Sequence, residues 1–532
     1  MKQTAMREHA VPQLLLIAGV LLAVLAEALT GTALSFGRID MLGDLYTTTD
    51  EFAWLDFGYT AAKLCGFMMV PALFARFKPI RVMQAASFVI TVFSLTMLAT
   101  SSLPPLILIR LIQGMSGGIL VVSGQTLLFN VFNGKGQAGA QLVFALGAVV
   151  APATFASTLQ GWMVDVLSWE GIFLAATALG LGAIILLAAV PPSTMSSSGP
   201  KRTDIMGFFL FAGAAVCLTY IAQEGSRWNW FESPHIVLMT VCGFSILLIC
   251  VARWSIFSWR HALVNLSVFG NRDFCFGVAV SFVAGVALFG STWLIPNFTL
   301  NVLGLTPTES GALIAPGGVA FVTALLLTAL LLSFSRVSPL ATVPLGILLL
   351  VVGMWLLSGS TSESGSADML LPLIVRGTGL GFLFLSLIIY TLGGLQGSRI
   401  AQGVALFTTL RQFGGLFGVA LLQRYLDHQN ALNSAVLSSH LEEGGALLAE
   451  RLQRVQVVLQ SKGMEAGAAT TKAAVAFLKK SLLLQSNVLS YNEAFFAIVI
   501  VFIVAVPVLL IYKFWLSQQH CSAPATDKVS GV

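Results

Sequence analysis

Five ionisable side chains, Glu27, Lys63, Arg110, Arg376 and Arg411, stand inside stretches that are otherwise almost wholly apolar. A charge at the centre of a bilayer costs about 2.5–3.5 kcal/mol on insertion scales. Each of the five therefore needs an opposite charge, a hydrogen-bond partner or water. A carboxyl exchanges protons: burial favours its neutral form and a nearby cation its ionised form. Glu27, held between those influences, is able to take up a proton from one side of a membrane and release it to the other. A second reading makes it half of a permanent ion pair that only orients helices. Lys63 is either its counter-ion or a seat for an anionic substrate. Guanidinium does not titrate usefully, so Arg110 fits a substrate or helix-anchoring role better than proton transfer.

The elements that hold these groups follow from composition. Of 532 residues, 57% are apolar and 10% charged, with mean hydropathy +0.88. About 25% charged residues is ordinary for a soluble chain, so a disordered chain and an ordinary soluble enzyme are both excluded. Apolar runs long enough to span a bilayer fall at 12–36, 53–75, 81–100, 104–129, 138–160, 170–191, 205–223, 234–256, 273–300, 308–333, 340–358, 368–392, 402–424 and 492–516. Backbone in lipid must satisfy its own hydrogen bonds, so these fourteen runs are expected to be helices. The first run follows a short polar stretch and lacks a small-residue cleavage site, which predicts a retained span rather than a signal peptide.

Placing the amino terminus in the cytoplasm puts Lys2, Arg7, Arg76, Lys78, Arg81, Lys135, Lys201, Arg202, Arg253, Arg260, Arg272, Arg336, Arg399, Lys513 and Lys528 on the cytoplasmic side. The opposing short loops hold Arg38 and Arg227. That asymmetry predicts both termini inside. On this topology, at about 1.5 Å rise per residue, Glu27 and Lys63 lie roughly 14–15 Å below the outer surface and Arg110 roughly 9 Å. The three are expected to face one polar cavity and interact. Residues 425–491 form a long outer segment. Helix-like apolar spacing in 441–459 and 473–484 reads as a solvated hairpin resting on the membrane surface, or as a docking element for a partner.

Other features carry less chemistry. Gln113, Gln125, Gln141, Gln160, Asn301 and Gln412 fit interhelical hydrogen bonding. Gly114, Gly117 and Gly118, like Gly414, Gly415 and Gly418, fit close helix packing. Cys65, Cys217, Cys242, Cys250, Cys275 and Cys521 form no CxxC pair and read as reduced packing residues. No GxxxxGK[ST] loop is present, so ATP is not the expected energy source. His9, His235, His261, His428, His440 and His520 form no HExxH, so no metal site, cofactor or enzymatic reaction is expected; nor is nucleic acid. A weak internal repeat links Pro105–Arg110, leading into Gly114, with Pro372–Arg376, leading into Gly377. Repeated halves with a site between them are a transporter trait.

Several segments in order resemble the major facilitator superfamily, and specifically its 14-span drug:proton antiporter branch of EmrB/QacA type. Arg110–Gly118 (RLIQGMSGG) resembles the fourth-helix motif RxxQGxGxx. Trp54 with Tyr59 resembles the start of the second helix. Glu224–Pro234, Phe289–Gly304, Gly311–Gly318, Arg376–Gly381, Ala401–Gly403, Arg411–Gly415 and Tyr491–Phe495 follow at matching distances. Two segments depart from the pattern. The loop expected to read GxLaDrxGrk has Ala75 at the acidic position, so a charge lock using that residue cannot form. The fifth-helix motif gxxxGPxxGG survives as Gly147 and Pro152, with Ala151, Phe155 and Ala156 in place of glycines.

The resemblance implies an all-α polytopic membrane protein with the major facilitator fold: two six-helix bundles plus two inserted helices. The division is an amino-terminal bundle over 1–200, inserted helices over 201–260, a second bundle over 261–516 carrying the 425–491 segment, and a cytoplasmic tail over 517–532. It places Glu27 near the family's first-helix aspartate. The expected function is proton-coupled export of an amphipathic organic compound or drug across the bacterial inner membrane by alternating access. The alternative is transport of a siderophore or lipid-like metabolite, uptake included. Glu27, Lys63 and Arg110 are expected to carry proton coupling, and Trp293, Asn297, Arg376 and Gln412 to line the substrate cavity. The expected partners are a small-molecule substrate, protons, the lipid bilayer and a periplasmic adaptor protein.

Overall fold

The computed structural model describes residues 2–100, 102–191, 204–256, 266–334, 338–439, 446–461 and 468–518. Lys201, Arg202, Arg260, Arg336, Lys528 and Cys521, with 441–445 and most of the carboxyl tail, lie outside the described residues. Every spanning run is a helix, and no strand occurs among the described residues. Among the described residues, fourteen helices are long and apolar enough to cross a membrane.

They are α1 (Lys2–Phe36), α2 (Thr49–Arg76), α3 (Pro79–Met97), α4 (Leu103–Val131), α5 (135–167), α6 (Glu170–Ala188), α7 (Ile205–Glu224), α8 (Pro234–Ile256), α9 (Arg272–Asn301), α10 (Pro307–Phe334), α11 (Pro339–Leu357), α12 (Ser366–Leu392), α13 (Ser398–Ser439) and α14 (Ala468–Gln518). Local signals set several starts. Thr48 and Glu51 form a reciprocal capping box at α2. Pro79 and Pro339 open α3 and α11, where a missing N–H is harmless.

Helices α1–α6 form one bundle and α9–α14 the other. They meet where α13 packs on α2 and α4, and where α10 packs on α5. Glycine sets the close approaches. A Cβ on Gly114 or Gly118 of α4 would overlap the carbonyl of Tyr59 or Lys63 on α2, and one on Gly414 would overlap that of Phe282 on α9. Helix α5 contains a π-helical stretch, Leu146–Phe155, around Pro152. Proline removes a backbone donor from the regular ladder, and such wide turns concentrate at functional sites.

The inserted pair is asymmetric. Helix α7 packs on α8 and also against α2 and α13, while α8 packs chiefly on α7. At their base, Asp204 caps α7 through the Gly207 N–H (2.9 Å) and accepts from Arg253 of α8 at 2.8 and 3.1 Å. Burial pushes the Asp204 carboxyl up, but these hydrogen bonds outweigh it and hold the group below the ordinary carboxylate range.

The segment 425–491 differs from the expected surface hairpin. Helix α13 runs unbroken to Ser439 and α14 begins at Ala468, so the segment's two ends are extensions of spanning helices. No Gly or Pro interrupts 425–439 or 468–491, so nothing breaks either helix. At 42 and 51 residues, the helices run about 63 and 77 Å, beyond a hydrocarbon layer of about 30 Å. The extensions are zipped by Asn430–Asn487 (2.8 Å) and Asn433–Ser490 (3.1 Å). The spacing in 473–484 is part of α14, and the described part of 441–459 lies in the separate helix Ala446–Ser461.

Candidate functional site

Glu27 sits in the second half of α1 and is 2% exposed, with Ala23, Val24 and Ala26 fully buried beside it. Its carboxylate forms an ion pair with Lys63 of α2. It also accepts a hydrogen bond from the Tyr59 hydroxyl at 3.0 Å. Tyr59 and Lys63 are four residues apart on α2, so one helix face presents both. Glycine makes the room. A Cβ on Gly117 would stand 2.8 Å from Glu27 Cγ, and one on Gly31 would stand 3.1 Å from the Tyr59 hydroxyl.

Behind this pair lies Arg110 of α4. Its Nη1 donates to the Thr30 carbonyl (2.9 Å) and to Gln113 Oε1 (3.1 Å), and its guanidinium lies 4.1 Å from the Tyr59 ring centre. Gln113 passes the chain on to Ser94 of α3. Arg110 is fully buried and borders neither cavity described below. The expectation that Glu27, Lys63 and Arg110 face one cavity therefore needs correcting: Glu27 and Lys63 line it, and Arg110 does not, reaching Glu27 through Tyr59 and Thr30. The reason is steric. The aromatic ring fills the space that a direct Arg110–Glu27 contact would need.

A chamber of about 210 Å³ lies between the two bundles. Glu27, Tyr59 and Lys63 border it from one bundle, and Phe289, Thr292, Arg411 and Gln412 from the other; Pro152 of the π-helical stretch adds a third wall. The Lys63 side chain is 19% exposed against 3% for Glu27, so the carboxylate is nearly dry while its cation meets the chamber. Adjoining it, a cavity of about 810 Å³ opens toward the face where α1 ends and α2 begins. Phe289 and Gln412 border both spaces. Trp293, Asn297 and Gln412 line the larger cavity, which is where the sequence placed a substrate.

Arg376 is a second correction. It is 2% exposed and absent from both linings; it donates to Ser291 Oγ (3.0 and 2.8 Å) and Thr292 Oγ1 (3.2 Å) on α9. It thus anchors the fourth helix of its bundle to the first, as Arg110 does through Thr30 in the other. Both pairs of helices follow the weak sequence repeat. Several polar residues read as packing groups make such bonds, while Gln412 lines both cavities. Gln160 donates to Leu29 O and Thr32, Gln125 to Gln141, and Asn301 to Tyr491. The amide donor of Asn297 is held by the Trp293 carbonyl of its own helix at 2.7 Å.

Sequence reasoning missed three contributors. Tyr59 was legible only through its four-residue spacing from Lys63. Arg411 was visible as an intramembrane charge, but spacing alone did not show that it borders the chamber beside Gln412. The third is α7. Its Gln223 donates to Asp56 (3.4 Å) and Thr60 (3.3 Å), Ser226 donates to Asp427 of α13 (2.5 Å), and Arg227 pairs with Asp50. An inserted helix thus ties both bundles at the mouth of the larger cavity, and no local pattern announces a contact across some 200 residues.

The profile of the Major Facilitator Superfamily matches residues 16–419. The chain is 25% identical over 430 residues to the multidrug export protein EmrB of Haemophilus influenzae, covering 80% of this chain and 83% of that protein. It is 22% identical over 495 residues to the fatty acid resistance protein FarB of Neisseria gonorrhoeae, covering 92% and 94%. Its fold is similar to that of the proton:xylose symporter XylE bound to 6-bromo-6-deoxy-D-glucose, with TM-score 0.52, 13% identity and coverage of 80% and 90%.

Proposed function

The chain belongs to the major facilitator superfamily, and on that premise we propose that it is a proton-coupled secondary transporter that exports an amphipathic organic compound across the bacterial inner membrane by alternating access. One observation carries this reading: a single protonatable carboxylate, Glu27, sits in an ion pair on the wall of the chamber between the bundles. Protonating Glu27 removes the partner of Lys63 and leaves a bare cation in a low-dielectric site. That cost favours a different arrangement of α1 and α2, or a different occupant. A proton arriving from outside would thereby reset the chamber after a solute has left. Relatives named for multidrug export and fatty acid resistance support an amphipathic cargo.

The orientation proposed is the one the loop charges favour, with both termini cytoplasmic and the larger cavity open to the periplasm. The zipped projections of α13 and α14 then stand on the periplasmic side, where an adaptor protein would dock. Export that persists in cells after the projecting segment is removed would exclude that docking role.

A second reading has its own support. The chamber lining holds Lys63 and Arg411 against Glu27, so a bound anion and a bound proton would neutralise charge together. Positive linkage of that kind is what uptake of a lipid-like metabolite by symport requires. Proteoliposomes with an imposed pH gradient separate the two. Export by antiport predicts solute movement opposite to the proton flux and collapse by an uncoupler. Movement with the protons supports the second reading, and flux indifferent to the gradient overturns both.

A further inference from the structure

Among the described residues, Arg411 is the charge that faces the chamber with no hydrogen-bond or ion-pair partner. Glu27 and Lys63 hold each other, and Arg376 has two hydroxyls. Arg110 leaves two nitrogens unpaired, but it lies behind Tyr59 and borders neither cavity described above. Among the described residues Arg411 has neither hydrogen bond nor ion pair, and its Nη1 is buried and unmatched. The side chain is 7% exposed, and what exposure it has is to the chamber. Behind it lie the rings of Phe384 and Phe407, at 4.8 and 5.4 Å from the guanidinium carbon. Cation–π contact of this kind is attractive but supplies no counter-charge. Arg411 stands 13 residues into α13, about 20 Å from its start and far from either aqueous face.

We infer that Arg411 is the seat for the head group of an amphipathic organic anion, a carboxylate or sulfonate. The planar fork of guanidinium matches such groups through paired hydrogen bonds. The rings behind it fix its direction, so little side-chain freedom is lost on binding. The chamber supplies two cations against one carboxylate, and that carboxylate is already engaged by Lys63 and Tyr59. A single negative charge balances the lining. The rest of the ligand finds apolar walls: Phe67, Val121, Leu288 and Phe289 line the chamber, and Trp293 continues them into the larger cavity. The chamber is small, so the head group belongs at Arg411 and the apolar body extends past Phe289. This rests on the reading of the chain as a solute transporter, but not on the direction of transport.

The test is equilibrium binding to the purified full chain in nanodiscs, with no gradient imposed. Three probes share one ring system and differ in head charge: tritiated 1-naphthaleneacetate, 1-naphthylmethanol and 1-naphthylmethylammonium. The anion is expected to bind about tenfold or more tighter than the other two, the scale of one charged hydrogen-bonded contact. Arg411→Gln should abolish that preference, and Arg411→Lys should keep part of it. Equal binding of the three, preference for the cation, or an anion preference unchanged in Arg411→Gln overturns the assignment. The comparison of head groups on the unaltered chain needs no variant, so a misfolded Arg411→Gln leaves the test intact. Anion-selective binding without gradient-driven flux would sink proton coupling while leaving this site standing. Gradient-driven flux of the cation alone, undiminished in Arg411→Gln, would do the reverse.

Discussion

Arg110 lies face-on to the ring of Tyr59, 4.1 Å from its centre, and the hydroxyl of that ring donates to Glu27. The guanidinium on α4 therefore sets the position of a carboxylate on α1 without touching it. Arg110→Lys keeps the charge but loses both the planar stacking and one of the two hydrogen bonds from Nη1. We expect a stability loss of about 1–3 kcal/mol, read as a lower melting temperature in detergent, and slower gradient-driven flux. Unchanged melting and flux would show that the stacking positions nothing.

Glu27→Gln preserves size and hydrogen bonding but strands Lys63. Proton-driven transport should vanish while solute exchange without a gradient continues. Adding Lys63→Met should make the double variant more stable than Glu27→Gln alone, because the stranded cation is gone. A double variant no more stable than the single one would mean that the pair contributes nothing.

Gly117→Ala tests the space that glycine leaves. Its methyl carbon would stand 2.8 Å from Glu27 Cγ, and overpacking of this kind costs about 1–3 kcal/mol. The expected result is a folded protein with the coupling defect of Glu27→Gln. Normal coupling in Gly117→Ala would show that the position of Glu27 is tolerant.

The link from Ser226 to Asp427 joins the inserted α7 to α13 beside the larger cavity. Ser226→Ala should loosen that mouth. A cysteine introduced by Asn297→Cys, with native cysteines replaced, should then react several-fold faster with a membrane-impermeant maleimide. An unaltered labelling rate would exclude a restraining role for α7.

Asp204 gives a pH dependence with a definite sign. Its folded value lies below the unfolded one, about 3.9. Its contribution to holding α7 on α8 is therefore complete above that unfolded value and is lost as pH falls through the lower folded one. The melting-temperature difference between the native chain and Asp204→Asn should be flat from neutral pH to about 5, then shrink below about 4. A difference that grows on acidification would contradict the assignment.

Much of this architecture was legible in the residues themselves. A helix in lipid must be apolar and long, so fourteen spans and their approximate ends followed from hydropathy alone. The intramembrane charges stood out because each is expensive where it lies, and the four-residue spacing of Tyr59 and Lys63 places them on one face of α2. The sequence also held the reason why α13 and α14 run past the membrane, since no helix breaker follows, although an even spread of polar residues read as a loop. What only tertiary structure decided was which costly groups satisfy one another and which face open space. Arg110, Arg376 and Arg411 are alike in sequence context, each followed within three residues by Gly or Gln in an apolar run. Packing hides the first behind a ring, gives the second two hydroxyls and leaves the third facing the chamber. A charge's partner is fixed by helices distant in sequence, 80 residues apart for Arg110 and Thr30 and 85 for Arg376 and Ser291, and no local pattern encodes that distance.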